Sequence, residues 1–463
     1  MGNPCFIRRF GLIRRLGSLP VLLALFYIVF ATPWMGRKNG YTVDATASFQ
    51  LTKTIILSGD WLPDNLRVKQ GYIYSIVYIP FYELGNAIAA LNPDIEGDWI
   101  RRKCMCWMNT VLTGFTLGVL SCFVRRLGYS KTAQIFVPLI YGFSTLAFNY
   151  ARYDYNKCLA AFLLLAAVYF CAAFMQEKRK GFLAGCGLAA SALAALRLEM
   201  AIIAPVLLIA LLYPKGTQGE RLRRGVSYVC LCLIGIGWVF FYNSLYWSGE
   251  VAGGYEGGFQ WNPMPGLMGF LFSPGKNIWF FNPVLLLLPL TLRTFYNNHK
   301  TLFPLWLGTV GLITAVYCFW GNWWGGWGWG PRHLTPLLPL LVLPIAPVFD
   351  QENRSYKILL GGLALAGLFV QFLGAVIDFN DVIMILMRTQ ISEQELIWQP
   401  AWNAIVQHGL VWRMMPAARW DFGWIGLKNY LSGAVFLGIL FVWIGLAASL
   451  AWALIQNLRR SAD

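Results

Sequence analysis

The stretch Leu431-Ser-Gly-Ala-Val-Phe-Leu-Gly-Ile-Leu-Phe-Val-Trp-Ile-Gly-Leu-Ala-Ala-Ser-Leu-Ala-Trp-Ala-Leu454 contains no charged residue. A helix of about 20 apolar residues is long enough to cross the hydrocarbon of a bilayer. Ile358–Ile377 is a second run of this kind. Inside lipid only helices and closed barrels satisfy every backbone N–H and C=O group, and continuous apolar runs select helices. These runs predict an all-α membrane protein.

The composition extends this interpretation to the whole chain. Hydrophobic residues make up 57% of the sequence and charged residues 13%, whereas soluble domains carry about a quarter charged residues. The segment Gly71–Leu91 is also apolar, but counting it as a span would place the two termini on opposite sides, so we interpret it as re-entrant or interfacial. The sequence predicts a polytopic protein of about twelve transmembrane helices, at 18–36, 104–124, 132–150, 157–175, 181–196, 200–213, 226–246, 278–292, 302–320, 334–349, 357–377 and 430–455.

The basic residues indicate the orientation. Lys and Arg concentrate in the cytoplasmic loops of membrane proteins, and an inside N-terminus gives short inner segments that hold most of the basic residues and few acidic ones. The net charge of +16 then reflects topology and contact with anionic inner-leaflet lipid, and no basic-aromatic pattern indicates nucleic acid. We expect an inner (plasma) membrane protein with both termini cytoplasmic. Met1–Thr32 lacks a small-x-small cleavage site, which favours an uncleaved first span over a signal peptide.

The outer side carries most of the polar sequence. We expect one transmembrane domain, 1–463, with a first extracytoplasmic loop at 37–103, another at 247–277 and a last one at 378–429. No Gly-rich phosphate loop or Walker sequence indicates a soluble nucleotide site. No repeated pair of interrupted helices marks a secondary transporter. This distribution favours an enzyme that works at the outer face.

The first outer loop contains the candidate catalytic carboxylate, which would act as a base. Asp44 comes shortly after the first span and precedes an interfacial helix in which Phe49, Thr52 and Ile56 share one face. A carboxylate held at the bilayer surface is well placed to take a proton from an acceptor hydroxyl. The alternative is that Asp44 caps this helix through its free backbone N–H groups.

Several motifs together resemble a known superfamily. The chain contains Asp44, Ser58-Gly-Asp60-Trp61-Leu62-Pro63, Ala151-Arg-Tyr-Asp-Tyr-Asn-Lys157, Leu196-Arg-Leu-Glu199, Leu271-Phe-Ser-Pro-Gly-Lys276 and Trp323-Trp-Gly-Gly-Trp-Gly-Trp-Gly-Pro-Arg332-His333. In this order they resemble the GT-C glycosyltransferases. They are similar in particular to the family-39-like branch that contains aminoarabinose transferase and the protein O-mannosyltransferases.

The resemblance implies a function. GT-C enzymes move a sugar from a polyprenyl- or dolichyl-phosphate donor to an acceptor, which in this case is a glycan, lipid or protein of the cell envelope. An acidic residue of the first outer loop acts as base in that superfamily, and by position it corresponds to Asp44. Because such a base activates the acceptor hydroxyl directly, we expect inversion at the anomeric carbon. Some relatives use a divalent metal, but the sequence shows no complete ligand set, so we predict no metal or other cofactor.

This chemistry needs fixed cations near the leaving phosphate, where negative charge builds in the transition state. Arginine suits the role because its fork binds two phosphate oxygens. Arg332 is the strongest candidate, since it follows a Gly-rich segment that permits close approach of a ligand. Snorkelling to headgroups and ion pairs such as Arg197 with Glu199 or Arg152 with Asp154 are the alternatives. The candidate phosphate-binding residues are Arg332, Lys276, Arg152, Lys69 and Arg197.

The sugar or acceptor contacts are predicted from the polar and aromatic residues near these cations. The densest aromatic cluster is Trp320, Trp323, Trp324, Trp327 and Trp329. It is either an interfacial aromatic belt or a surface for stacking on sugar. The candidate sugar or acceptor contacts are Asp60, Trp324, His333 and Tyr153. A transporter or flippase for lipid-linked sugars, or a scaffold of a glycan-assembly complex, remains the alternative function.

Overall fold

The structure, a computed structural model, describes most of the chain. The described residues are 18–34, 43–64, 66–69, 71–249, 258–378, 382, 387, 391–400, 403–414 and 433–459. Within these ranges the secondary structure is helical, apart from one β-bridge that pairs Phe259 with Trp320. The predicted all-α class is confirmed.

The helices of the described residues follow one another along the chain. In chain order they are α1 (Leu19–Ala31), α2 (Val43–Ser58), α3 (Tyr72–Leu91), α4 (Gly97–Arg126), α5 (Lys131–Ser144), α6 (Ala147–Tyr150), α7 (Lys157–Glu177), α8 (Lys180–Leu196), α9 (Ala204–Leu212), α10 (Gln218–Tyr246), α11 (Met264–Phe272), α12 (Ile278–Phe281), α13 (Leu288–Asn298), α14 (Phe303–Cys318), α15 (Leu338–Leu341), α16 (Pro347–Asp350), α17 (Arg354–Val376), α18 (Glu393–Leu396), α19 (Ala404–Met414) and α20 (Gly433–Arg459). Short 3₁₀ segments adjoin them at Thr32–Trp34, Leu198–Ile203, Pro283–Leu287, Arg332–Leu337 and Leu343–Ile345.

Many of the helices are apolar enough to cross a membrane, so the chain is a multi-pass membrane protein. In the part of the chain that the structure describes, six segments are long enough to do so: Gly97–Arg126, Lys157–Glu177, Gln218–Tyr246, Arg332–Asp350, Arg354–Val376 and Phe436–Arg459. Four shorter apolar segments are Leu19–Trp34, Lys180–Leu196, Leu198–Leu212 and Phe303–Cys318. The number of about twelve spans stays a prediction. The segment interpreted as re-entrant or interfacial forms α3, a helix of 20 residues with Pro80 inside it.

Helix starts coincide with capping residues in the sequence. Thr217 and Glu220 form a reciprocal capping box at the start of α10, which satisfies backbone N–H groups that have no partner within the helix. Ser130 caps α5, and Asn353 caps α17 through two backbone N–H groups. These three caps lie in segments that the sequence assigns to the inner side.

The predicted inner segments also meet one another in the structure. Tyr129 and His299 share a hydrogen bond of 2.9 Å, and the backbone N–H of Ser130 donates to Asp350 at 3.1 Å. Burial lowers the pKa of His299, so its ring is neutral near pH 7 and pairs with a hydroxyl rather than an acid. Segments assigned to one side on charge alone thus form one end of the bundle.

Small residues set the closest helix packing. Gly235 on α10 lies against Ser191 on α8, and a Cβ built at Gly235 would lie 1.9 Å from the Ser191 carbonyl oxygen. Helices in membranes associate by such close packing because apolar burial gives no advantage over lipid. Most of the rest of α10 is exposed.

We expect Gly235→Ala to lower the melting temperature of the detergent-purified protein. The added methyl meets backbone of another helix, which cannot rotate away, and overpacking of this kind costs about 1–3 kcal/mol. Gly237→Ala on the same helix is the matched control, since a Cβ there meets nothing within 4 Å and an interior Gly-to-Ala change gains about 0.5–1 kcal/mol. Equal melting temperatures for the two variants would contradict the described packing of α8 and α10.

Candidate active site

A cavity of about 390 Å³ opens where several helix ends meet, a volume in the ~300–1,000 Å³ range of small-molecule sites. Its lining comes from segments that the sequence assigns to the outer side and from the outer ends of the predicted spans 181–196, 226–246 and 302–320. Its wall combines aromatic residues with a few charged ones, as is usual for ligand sites. The lining includes Lys69, Tyr72, Arg197, Glu199, Trp238, Tyr242, Trp247, Tyr317, Trp320, Arg332 and His333.

Gly71 brings the first outer loop to the cavity. Its φ is +88°, and a Cβ there would lie 2.4 Å from the carbonyl oxygen of Leu196. Only glycine combines this left-handed conformation with so close a backbone approach. The loop is thereby held beside the end of α8, so that Lys69 and Arg197 line one cavity.

Arg197 and Glu199 form an ion pair at the cavity wall. The Nε of Arg197 donates to Glu199 Oε1 at 2.6 Å, and its Nη2 contacts the same oxygen. The Tyr317 hydroxyl also donates to this oxygen, at 3.1 Å. Arg197 Nη1 reaches Asn156 at 3.2 Å. The expected alternative of an ion pair is therefore present, and both of its members also line the cavity.

The Gly-rich segment before Arg332 packs closely against the side chain of that arginine. A Cβ at Gly325, whose φ is +74°, would lie 2.8 Å from Arg332 Cγ, so the segment wraps closely around the arginine stem. The guanidinium lies over the Tyr155 ring, with Cζ 5.5 Å from the centroid, a distance typical of cation–π contact. The charged end is thus presented at the cavity by a rigid aromatic support.

Lys276 is buried and holds the same segment from its other side. Its ammonium group donates to the carbonyl oxygens of Gly326 at 2.6 Å and Gly328 at 2.7 Å. The Tyr150 hydroxyl donates to the carbonyl oxygen of Trp329 at 2.8 Å. Lys276 does not line the cavity. We infer that it positions Arg332 by ordering the backbone around it.

His333 lines the cavity between Arg332 and the aromatic residue Tyr317. Its ring stacks on Tyr317, with centroids 4.6 Å apart and planes at 19°. Lys157, Arg332 and Arg197 are all close enough to act on it electrostatically, and Lys157 also acts on Glu199. This part of the wall therefore carries an excess of positive charge.

The other predicted residues lie outside the cavity lining. Arg152 is buried and donates to the carbonyl oxygens of Trp34 and Gly374, and its guanidinium lies over the Tyr153 ring. Trp324 packs edge-on against Trp323. Asp60 is exposed, and its carboxylate accepts the backbone N–H of Leu62 at 3.1 Å, which stabilises the local turn.

Asp44 is the second residue of α2, and its side chain lies outside the described residues. Of the predicted face of this helix, Phe49 and Thr52 are fully buried and Ile56 is half-buried. Its role as base, like its alternative as a helix cap, stays a prediction. Among the described residues, no three His, Cys, Asp or Glu side chains come together in a metal-ligating group.

The sequence analysis missed most of the aromatic lining. Trp238 and Tyr242 lie one turn apart on α10 and both face the cavity, and Trp247 follows the helix end. Their spacing of four residues, next to an outer helix end, is the pattern that could have identified them. Tyr317 carries no such pattern, because its role depends on contact with Glu199 and His333 from distant parts of the chain.

Comparisons with known proteins identify the fold. No protein-family model and no curated protein matches the chain. Among solved structures, the crystal structure of ArnT from Cupriavidus metallidurans bound to undecaprenyl phosphate matches with a TM-score of 0.50 and 12% identity, over 94% of this chain and 75% of that one. The apo structure of the same protein gives a TM-score of 0.49 and 13% identity, over 96% and 77%. The chain has a GT-C-like fold, as the sequence motifs indicated.

We expect Lys276→Met to loosen the Gly-rich segment. The change removes both hydrogen bonds to Gly326 and Gly328. It leaves the buried carbonyl oxygen of Gly328 without this donor, at about 1–3 kcal/mol, and the part-buried one of Gly326 at less. Hydrogen exchange measured by mass spectrometry should show faster exchange of the backbone amides in residues 320–332.

Lys300→Met is the matched control, because Lys300 is exposed in a segment assigned to the inner side. Its exchange in residues 320–332 should equal that of the unaltered protein. Unchanged exchange in the Lys276 variant would mean that other contacts order the segment.

Proposed function

We propose that the protein is a membrane glycosyltransferase that moves a sugar from a polyprenyl-phosphate donor to an acceptor hydroxyl at the extracytoplasmic face. The observation that carries the proposal is the cationic cavity at the outer helix ends, on a fold like that of a protein crystallised with undecaprenyl phosphate. Arg332, Arg197 and Lys69 converge there from three separate segments. A lipid phosphate is the anion that such a site would meet at a membrane surface.

The cations suit the leaving group. In the transfer, the acceptor oxygen forms a bond to the anomeric carbon while the bond from that carbon to the phosphate oxygen breaks. Negative charge accumulates on the phosphate as the bond breaks, and fixed cations stabilise it more in the transition state than in the ground state. Arg332 is the main contact in this proposal, because the Gly-rich segment and Tyr155 fix its side chain before any ligand arrives.

The proton of the acceptor hydroxyl needs a base. Among the described residues that line the cavity, Glu199 is the only carboxylate. Arg197 and Tyr317 already donate to it, which makes it a weak base. These contacts favour a base from another segment, and Asp44 on the first outer loop is the one we propose. Direct activation of the acceptor by Asp44 implies inversion at the anomeric carbon.

A lipid-linked-sugar transporter is the competing function. It would need a charged pathway across the bundle, whereas the cations described here gather at one end of the cavity-forming helices. Turnover measurements separate the two functions, because only the enzyme releases polyprenyl phosphate.

We expect purified protein in detergent to release undecaprenyl phosphate from radiolabelled undecaprenyl-phosphate sugars when an acceptor extract is supplied. Asp44→Asn should lower the rate by about 10²–10⁴-fold, the usual contribution of general acid–base catalysis. The transferred sugar in the product should have the anomeric configuration opposite to that of the donor. Full activity in this variant, with wild-type melting temperature, would exclude Asp44 as the base.

We expect Arg332→Met to weaken binding of undecaprenyl phosphate by about 10- to 100-fold, since a hydrogen bond to a charged group contributes about 1.5–3 kcal/mol. Arg293→Met is the control, because Arg293 is exposed at the predicted inner side. If both proteins bind the lipid phosphate equally, the cavity is not the donor site. Movement of lipid-linked sugar across vesicles without phosphate release would instead support the transporter.

A further inference from the structure

The cavity contains one acidic group among its cations. Among the described lining residues, Lys69, Arg197 and Arg332 are positive and Glu199 alone is negative. A carboxylate weakens the attraction of such a site for a phosphate. Its presence therefore needs a reason other than phosphate binding.

The hydrogen bonds of Glu199 distinguish its two oxygens. Arg197 and Tyr317 both donate to Oε1, and within the described part of the chain no side-chain donor contacts Oε2. The side chain is 27% exposed and lines the cavity. Glu199 is therefore held mainly through Oε1. Its own backbone N–H also donates to the carboxylate, which keeps lone-pair capacity for a further hydrogen bond.

The environment of Glu199 keeps it charged. Arg197 contacts it directly, and Lys157 acts on it electrostatically. An ionised carboxylate accepts hydrogen bonds but gives none, so it binds hydroxyl groups well. It repels phosphate oxygens of like charge.

We propose that Glu199 binds hydroxyl groups of the donor's glycosyl unit and so selects which sugar the cavity accepts. This inference rests on the proposed function, in which the phosphate lies at the neighbouring cations. The glycosyl unit is covalently joined to that phosphate, so it lies next to it. Glu199 forms a hydrogen-bonded ion pair with Arg197, one of these cations. A donor whose phosphate lies at Arg197 therefore has its sugar within reach of Glu199.

The walls on either side fit a sugar. Trp238, Tyr242 and Trp320 line the same cavity and offer apolar faces to the carbon-bound hydrogens of a sugar ring. Aromatic walls with few polar groups are usual in small-molecule sites, where the polar groups set orientation and specificity. Buried groups made to bond a hydroxyl reject analogues that lack it.

The test compares the binding of undecaprenyl phosphate with the binding of three of its glycosyl esters. Binding of undecaprenyl phosphate and of its mannosyl, glucosyl and galactosyl esters is measured by thermophoresis on the full-length protein in detergent. At least one ester should bind wild type more tightly than the other two do. Glu199→Ala should weaken that ester by about 10- to 100-fold, the effect of losing a hydrogen bond to a charged group, and leave undecaprenyl phosphate binding unchanged or tighter.

Two further variants keep the result interpretable. Glu199→Gln preserves the shape and an acceptor oxygen, so it should fold as wild type and show a smaller loss, again confined to the ester. Glu352→Ala is the matched control, because Glu352 is exposed in a segment assigned to the inner side, and it should leave the binding of both ligands unchanged.

The remaining outcomes overturn the proposal in distinct ways. Equal loss for both ligands in Glu199→Ala would mean that Glu199 only positions Arg197 on the phosphate. Unchanged binding of both ligands, or equal binding of the three esters to wild type, would exclude selection of the sugar by Glu199. Failure of wild type to bind undecaprenyl phosphate at all would refute the proposed function itself.

Discussion

Every backbone N–H and C=O group of a chain in lipid must find a partner inside the protein. In this chain the requirement extends beyond the spans, because the polypeptide leaves the helical path at residues 151–156 and 321–331 and is largely buried there. Asn109 donates to the carbonyl oxygens of Tyr153 and Tyr155. Lys276 donates to two carbonyl oxygens of the second segment. Irregular backbone is thus stabilised by buried polar side chains, and the first segment supplies Tyr155 and Asn156, which contact Arg332 and Arg197 of the cavity.

This arrangement explains why so much charge is buried near one end of the bundle. Some of the cations satisfy backbone, and others face a cavity. Arg152 belongs to the first kind, because it reaches the carbonyl oxygens of Trp34 and Gly374. Arg332 belongs to the second, since its support comes from the Tyr155 ring and from glycines that leave room for its stem. Cations that stabilise the backbone and cations that line the cavity thus lie close together at one end of the bundle.

The fold and part of the site could be predicted from the sequence, and the limit of that prediction has a physical cause. Long apolar runs predict the helices, because the bilayer acts on each segment separately, whereas the inner and outer sides stay a prediction from the charges. Arg332, Arg197, Lys69 and His333 line the cavity, as expected of outer polar residues. Lys276 and Arg152 do not, since composition cannot distinguish a cation that bonds a carbonyl from one that faces a ligand. Tyr317 and Trp238 were missed because their position depends on helix packing.

The excess positive charge of the cavity has a consequence for the end of a reaction cycle. A polyprenyl-phosphate sugar is a phosphodiester with one negative charge, whereas the polyprenyl phosphate left after transfer is a monoester that carries nearly two at neutral pH. On the proposed function, cations at Arg332, Arg197 and Lys69 would attract the spent carrier more strongly than the fresh one. Departure of the carrier lipid would then be slowed by its own charge, and turnover would depend on how readily the membrane takes that lipid back.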